Sequence, residues 1–236
     1  MGDVLALNQF DQQLRTALGG LFGSVEIAQR ARIGETLGRR DPQAHLRPDF
    51  LQGGLDPAAH KHFHTEYKNV VKWTKDPVIQ RYAKEYGTDE LPLWIGLEGL
   101  NLGLLIQLYR FMSRPLRQEV ADAFDASAKE LGSWLRRIRE LRNLSAHHQV
   151  IWNARTPSPV RTTERRHCLV LQHLEQGDTR TYLTVAVANF LAKQVQDFAA
   201  VEATRSALLQ FPDVLQFDVH SLGAPYGWEH TSLWHV

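Results

Sequence analysis

The sequence predicts an all-α protein, on three observations. Apolar residues recur at three-to-four spacing over long stretches, proline directly follows aspartate at two points where a helix would begin, and a Ser-x-x-Glu box precedes another amphipathic run. Strand signals are scarce along the chain.

Phe10, Leu14, Leu18, Leu21, Phe22, Val25 and Ala28 predict a long amphipathic helix from about Asn8 to Leu37. Gly19, Gly20 and Gly23 are expected to weaken or kink it, because glycine inside a helix costs about 1 kcal/mol relative to alanine. A polar, Pro-containing linker follows from Gly38 to Asp56. Asp56-Pro57 and Asp76-Pro77 each set a side-chain acceptor before a residue whose φ is already helical, so two helices are predicted to begin there, the second ending at Gly87. Pro92 opens a helix expected to run to about Met112, and Ser113 caps a short one through Phe124. Ser127-Ala-Lys-Glu130 is a capping box that starts a helix expected over about 127–149. There Leu131, Trp134, Leu135, Ile138, Leu141 and Ser145 fall on one stripe at about 100° per residue, with Arg142 at its edge. Residues 153–166 read as a loop, Cys168 to Leu174 as strand or helix, and Thr181–Leu191 and Ala192–Leu209 as helices. Gly223 to Trp228 is a turn-rich segment expected to cap the bundle, and a single domain is expected over 1–236, its C-terminal helices and cap occupying about 167–236.

The 236 residues, 43% hydrophobic and 22% charged, suffice for a sizeable core and argue against disorder. The single cysteine, Cys168, cannot form an intrachain disulfide, and no basic segment followed by an apolar run opens the chain, which predicts a cytoplasmic protein without a signal peptide. The most apolar window, Leu91 to Tyr109, is interrupted by Glu98, Asn101 and Gln107, so no membrane span is expected. Net charge is only +1, but the distribution is uneven: from Ile106 to Arg166 there are twelve Lys/Arg against six Asp/Glu, and fifteen against twenty elsewhere. Nearly all of the twelve are arginine, the side chain suited to bidentate phosphate contacts, and Arg136, Arg139 and Arg155 are the candidate RNA contacts.

The chemistry-bearing motif lies within this basic stretch. Leu141-Arg-Asn-Leu-Ser-Ala-His-His-Gln-Val-Ile-Trp-Asn153 places a permanent cation, an amide and an imidazole between Arg142 and His147. Arginine matches a phosphate geometrically and histidine can both take and give a proton near neutrality. An ideal helix sets residues five apart about 140° around the axis, so Arg142 and His147 converge on one phosphate only where the helix bends or ends, or where symmetry supplies a partner. His60, His62 and His64 alternate as strand ligands would, but a helix started by Asp56-Pro57 spreads them around its axis, so no metal site is expected. Cys168 reads as a small packing residue and Trp152 as a packing anchor for the motif helix.

This motif, together with Leu93-Trp-Ile-Gly-Leu-Glu-Gly-Leu-Asn-Leu-Gly-Leu-Leu-Ile-Gln-Leu-Tyr109, resembles the Abi-like abortive infection proteins of the AbiD/AbiF type, in the HEPN superfamily. Weaker similarity extends to Phe10-Asp-Gln-Gln-Leu-Arg15, Val25-Glu-Ile-Ala-Gln-Arg30 and Gly223-Ala-Pro-Tyr-Gly-Trp228. Two features depart from the family pattern: a preceding segment with Tyr- and Gly-containing motifs has no counterpart ahead of Phe10, and Leu100-Asn101-Leu102-Gly103 stands where Ser-Phe-Gly is frequent. The resemblance implies a HEPN-type helical bundle with additional flanking helices, acting in phage defence by cleaving or binding RNA. It implies Arg142 and His147 as the catalytic pair with Asn143 orienting, a metal-independent reaction needing no cofactor, a homodimer, and restraint by a noncoding RNA or protein partner. Glu98, alone in its apolar run, is expected to be buried and to orient Arg142 or His147, or else to pair with a nearby arginine. His148 is a supporting candidate, expected to make a structural hydrogen bond. The competing expectation is a catalytically silent HEPN protein that binds RNA or regulates a toxin.

Overall fold

The computed structural model describes residues 1–51, 56–161, 170–171, 174, 177–214 and 216–235. Among these, regular structure is helical throughout: α1 (Gly2–Gly38), α2 (Pro48–Leu51), α3 (Pro57–Trp73), α4 (Pro77–Tyr86), α5 (Leu93–Gly96), α6 (Leu102–Phe111), α7 (Arg114–Asp122), α8 (Ala128–Ala146), α9 (Thr181–Gln194) and α10 (Phe198–Leu209). Extended pairing among the described residues is confined to isolated bridges such as Arg155 with Arg180, so the all-α expectation holds. The chain forms two compact units, one of residues 1–26 with 124–236, the other of residues 27–123. Helix α1 is continuous through Gly19, Gly20 and Gly23, so the three glycines do not break it; a Cβ at any of the three would meet nothing within 4 Å. Cys168 and most of the 168–174 segment lie outside the described residues.

In the unit of residues 27–123, local rules set the helix starts. The Asp56 carboxylate accepts from the Ala58 N–H and that of Asp76 from Val78 and Ile79, each ahead of a proline in the first turn. Gly87 ends α4 at φ +84°, a conformation that favours glycine. Helix α3 packs on α4 and α6, burying Phe63, Tyr67 and Val71. His60 and His64, four apart, share one half-buried face of α3 while His62 is exposed; His64 Nε2 lies 3.4 Å from Asp89, and no group of three metal-ligating side chains occurs among the described residues.

The single helix expected from Pro92 to Met112 is instead three pieces. Helix α5 passes into a 3-10 turn, Leu97–Gly99; Leu100 is extended, and Asn101 caps α6 by accepting from the Leu104 N–H. Asparagine competes with helix backbone for hydrogen bonds, so inside an apolar run it serves better as a cap than as an interior residue. The carbonyls freed at this break are met by Arg30, which donates to Leu97 O at 3.0 Å and Leu100 O at 2.9 Å. Gly96 is required by close approach: a Cβ there would stand 2.7 Å from Tyr67 Oη and 2.9 Å from His45 Nε2. His45 and Tyr67 are fully buried, and their polar atoms have no hydrogen-bond partner among the described residues. Burial, reinforced by His64, lowers the His45 imidazole to about 3; burial with the charge of Asp89 pushes the Tyr67 hydroxyl above its ordinary range.

In the other unit, α9 is the central element, buried at every residue from Thr181 to Ala192, with α8 and α10 packed on it. The predicted stripe of α8 faces inward: Leu131, Trp134, Leu135, Ile138 and Leu141 are inaccessible, while Ser145 is half-buried. The capping box forms as expected, Glu130 N–H donating to Ser127 Oγ and Ser127 N–H to Glu130 Oε2. The boundary between α9 and α10, expected near Leu191, falls at residues 195–197. There Gln196 takes φ +60° and the Asp197 carboxylate caps α10 by accepting from Ala200 N–H. Ser24 of α1 also donates a hydrogen bond to Asp197. The C-terminal segment caps the unit: Trp228 and Trp234 are buried against Tyr182, Trp234 Nε1 donates to the Tyr182 hydroxyl, and Asn189 donates to Leu233 O.

Candidate functional site at the end of the motif helix

The motif helix stops earlier than expected, at Ala146 rather than near 149, because the backbone turns over itself. His147 is the C-cap, its N–H donating to Asn143 O and Ser145 O. His148 N–H donates to Ser145 O at 3.1 Å and Gln149 N–H to Leu144 O at 3.0 Å, the two bonds of a Schellman motif. This motif requires a left-handed residue at the position after the cap, usually glycine; here His148 occupies it at φ +55°.

An acidic residue from the far end of the sequence fixes the segment that follows. Asp11, buried in α1, accepts at Oδ1 from the N–H groups of Ile151 (2.8 Å) and Trp152 (2.9 Å), while its Oδ2 faces Arg15 Nη1 at 2.9 Å. The same Arg15 nitrogen donates to Gln149 O at 3.1 Å. Buried Ile151 is held again through its carbonyl, which accepts from the Thr181 hydroxyl of α9 at 2.5 Å. Trp152 packs edge-on to Phe211 and Phe217, so it anchors the chain after the motif as expected. One carboxylate, one arginine and one threonine thus tie the exit of α8 to α1 and α9. Sequence reasoning placed neither Asp11 nor Arg15 here; the available signal was their i,i+4 spacing within the Phe10-to-Arg15 run.

Around this exit, Arg142 is half-buried on the last turns of α8, while Asn143, His147 and His148 are exposed. Among the described residues, no side-chain hydrogen bond or ion pair engages Arg142, Asn143, His147 or His148. The structural hydrogen bond expected of the His148 imidazole is therefore not found there. A cleft of about 430 Å³ opens beside the turn, lined by Gln12, Arg15 and Thr16 of α1 with Ser145 and His148. It brings His148 together with Arg15; Arg142 and His147 do not line it.

The other candidates divide. Arg136 and Arg139 are half-buried on α8, and Arg155 is exposed on the loop beyond, where its guanidinium reaches the Thr179 hydroxyl at 3.3 Å. Arg155 lines a second cleft of about 310 Å³ with residues 177–180. Beside it, burial pushes the Asp178 carboxyl up, but hydrogen bonds from Arg180 and the charges of Arg180 and Arg155 outweigh this and hold it below its ordinary value. Arg137, one of the arginines of the basic stretch, is 1% exposed and wholly occupied inside the protein. It donates to Thr184 Oγ1, Ser158 O, Asp178 O and Arg180 O at 2.8–3.1 Å, and burial lowers it to about 10 against the pull of Glu140 and Asp178. Glu98, expected to be buried, is 60% exposed on the 3-10 turn, 3.9 Å from Arg30; it belongs to the unit of residues 27–123, whereas Arg142 and His147 belong to the other. The break at Leu100 and Asn101 removes it from the apolar helix that motivated the expectation.

No helix among the described residues is long and apolar enough to cross a membrane. No curated protein and no solved structure matches the chain. Residues 1–153, from α1 through α8 to the final asparagine of the motif, match the family described as Abi-like protein. More than half of the sequence, including the Asp11 anchor and the whole exit of α8, carries this match, and the chain belongs to the Abi-like protein family.

Proposed function

We propose that this protein is an abortive-infection defence factor of HEPN type that works in the cytoplasm as a metal-independent endoribonuclease. The observation that carries this reading is the state of Arg142 and His147: both side chains are accessible and, among the described residues, uncommitted, on a helix exit that Asp11, Arg15 and Thr181 hold in place. The helix ends at His147, whose N–H still bonds Asn143 O, so the pair keeps about the separation of a continuous helix and a partner chain would have to bring both groups to one phosphate.

In the proposed reaction the RNA 2′-hydroxyl gives its proton to His147 or to water and its oxygen attacks the adjacent phosphorus. The P–O5′ bond breaks, the departing 5′-oxygen takes a proton from water or from His147, and the products are a 2′,3′-cyclic phosphate and a 5′-hydroxyl. Arg142 stabilises charge developing on the phosphoryl oxygens, and Asn143 orients the pair. Arg136, Arg139 and Arg155 contact the RNA backbone. Apposition of two chains as a homodimer brings two such pairs to one groove, and a noncoding RNA or protein partner restrains the activity.

A second reading is favoured by one observation: the cleft at this helix exit is walled by neither Arg142 nor His147, as suits a protein that holds RNA without cutting it. Purified full-length protein incubated with RNA in EDTA separates the two. The nuclease reading expects cyclic-phosphate ends and a loss of about 10²–10³-fold in cleavage rate for Arg142→Ala and for His147→Ala. RNA that is bound but left intact by the wild type would establish the second reading instead.

A further inference from the structure

We infer that the cleft between α1 and the exit of α8 is a binding site for a backbone phosphate of single-stranded RNA, with the Arg15 guanidinium and the His148 imidazole as its two walls. This rests on the proposal that the protein acts on RNA, and adds a substrate-holding site to it. Three observations on different residues converge. Arg15 is the oriented anchor: its Nη1 is fixed by Asp11 at 2.9 Å and by Gln149 O at 3.1 Å, while its Nε and Nη2 have no hydrogen-bond partner among the described residues. A guanidinium held at one nitrogen with its other donors available suits the oxygens of a phosphate.

His148 is the second observation. The Schellman turn selects for glycine, yet this chain places a histidine there at φ +55°. A left-handed conformation costs a side-chain-bearing residue about 1 kcal/mol or more, so the imidazole is held at a local energetic cost without a hydrogen bond among the described residues that repays it. Its position lines the cleft. Third, the remaining walls are Gln12, Thr16 and Ser145, which offer an amide and the Ser145 hydroxyl, the Thr16 hydroxyl donating to Gln12 O at 3.0 Å, and which bring no carboxylate. Behind the cleft, Asp11 is 1% exposed and occupied by two backbone N–H groups and by Arg15. The cleft thus presents the remaining guanidinium donors of Arg15 and no carboxylate among its walls. It adjoins His147 along the chain, as a subsite for a phosphate flanking the one cleaved would.

The test uses full-length protein and a non-cleavable 2′-O-methyl oligoribonucleotide. His148→Gly removes the imidazole while giving the turn the residue it prefers, and Thr16→Glu places a carboxylate in the cleft from an exposed position on α1. We expect His148→Gly to melt at or above the wild-type temperature yet bind about tenfold more weakly. Thr16→Glu is expected to weaken binding at least as much, and Arg142→Ala to keep it within about threefold while losing cleavage. Wild-type affinity in both His148→Gly and Thr16→Glu would overturn the cleft assignment and leave the nuclease proposal standing. A wild-type protein that neither binds nor cleaves RNA would overturn both.

Discussion

Two buried polar clusters, one in each unit, meet opposite fates. On α8, Arg137 is buried and every direction of its guanidinium is answered by a hydroxyl or a carbonyl from residues 158–184. Under Gly96, His45 and Tyr67 are buried as deeply, yet the described residues offer their polar atoms nothing to bond. The arginine remains a cation and organises the loop around it. The histidine is held neutral and behaves as an aromatic packing piece, edge-on to the tyrosine at 5.1 Å. Burial therefore does not fix what a polar side chain does; the supply of partners decides it.

The comparison breaks most visibly at Arg137. Arg137→Ala leaves three carbonyls and a threonine hydroxyl without their donor, and is expected to lower unfolding free energy by about 3–5 kcal/mol in chemical denaturation. Arg142→Ala, five residues along the same helix, should stay within about 0.5 kcal/mol of the wild type. Acidification probes the other cluster. The His45 imidazole is lowered from 6.5 to about 3, so the unfolded chain binds the extra proton between those values. Its contribution to stability is complete above 6.5 and lost as pH falls toward 3, a decline of about 2 kcal/mol from about pH 7 to about pH 5. Denaturation midpoints across that window should flatten in His45→Gln; an unchanged acid limb would show that other groups produce it. The smallest effect belongs to Tyr67→Phe. If its hydroxyl bonds nothing, stability should change by less than about 0.5 kcal/mol or rise, whereas a loss above about 1 kcal/mol would erase the distinction drawn here.

Much of the helical layout was legible because local chemistry determines it. Asp56-Pro57, Asp76-Pro77 and Ser127 with Glu130 each carry their own cap within four residues, and the helices begin where those signals stand. Asn101 carries the same kind of signal but sits inside an apolar run whose helical periodicity continues across it. The roles of the arginines were not legible. Arg137 and Arg142 look alike in sequence, and their difference comes from residues 158–184, which only tertiary packing brings to one of them. Asp11 was hidden for the same reason: the backbone it holds lies 140 residues away. The left-handed turn at His148 escaped because the sequence offers histidine where the usual marker is glycine.

The central place of α9 also bears on synthesis. Helix α8 turns its apolar stripe onto a helix that begins at Thr181, and Thr181 itself secures the chain beyond the histidines. On the ribosome, the arginine and histidines of the motif emerge well before the element that holds them in register. Nascent chains fold as their units are completed, so the motif segment gains its scaffold only after Thr181 and the rest of α9 have been made. A polypeptide cut short before Thr181 has the motif's residues without the helix and the hydroxyl that secure them.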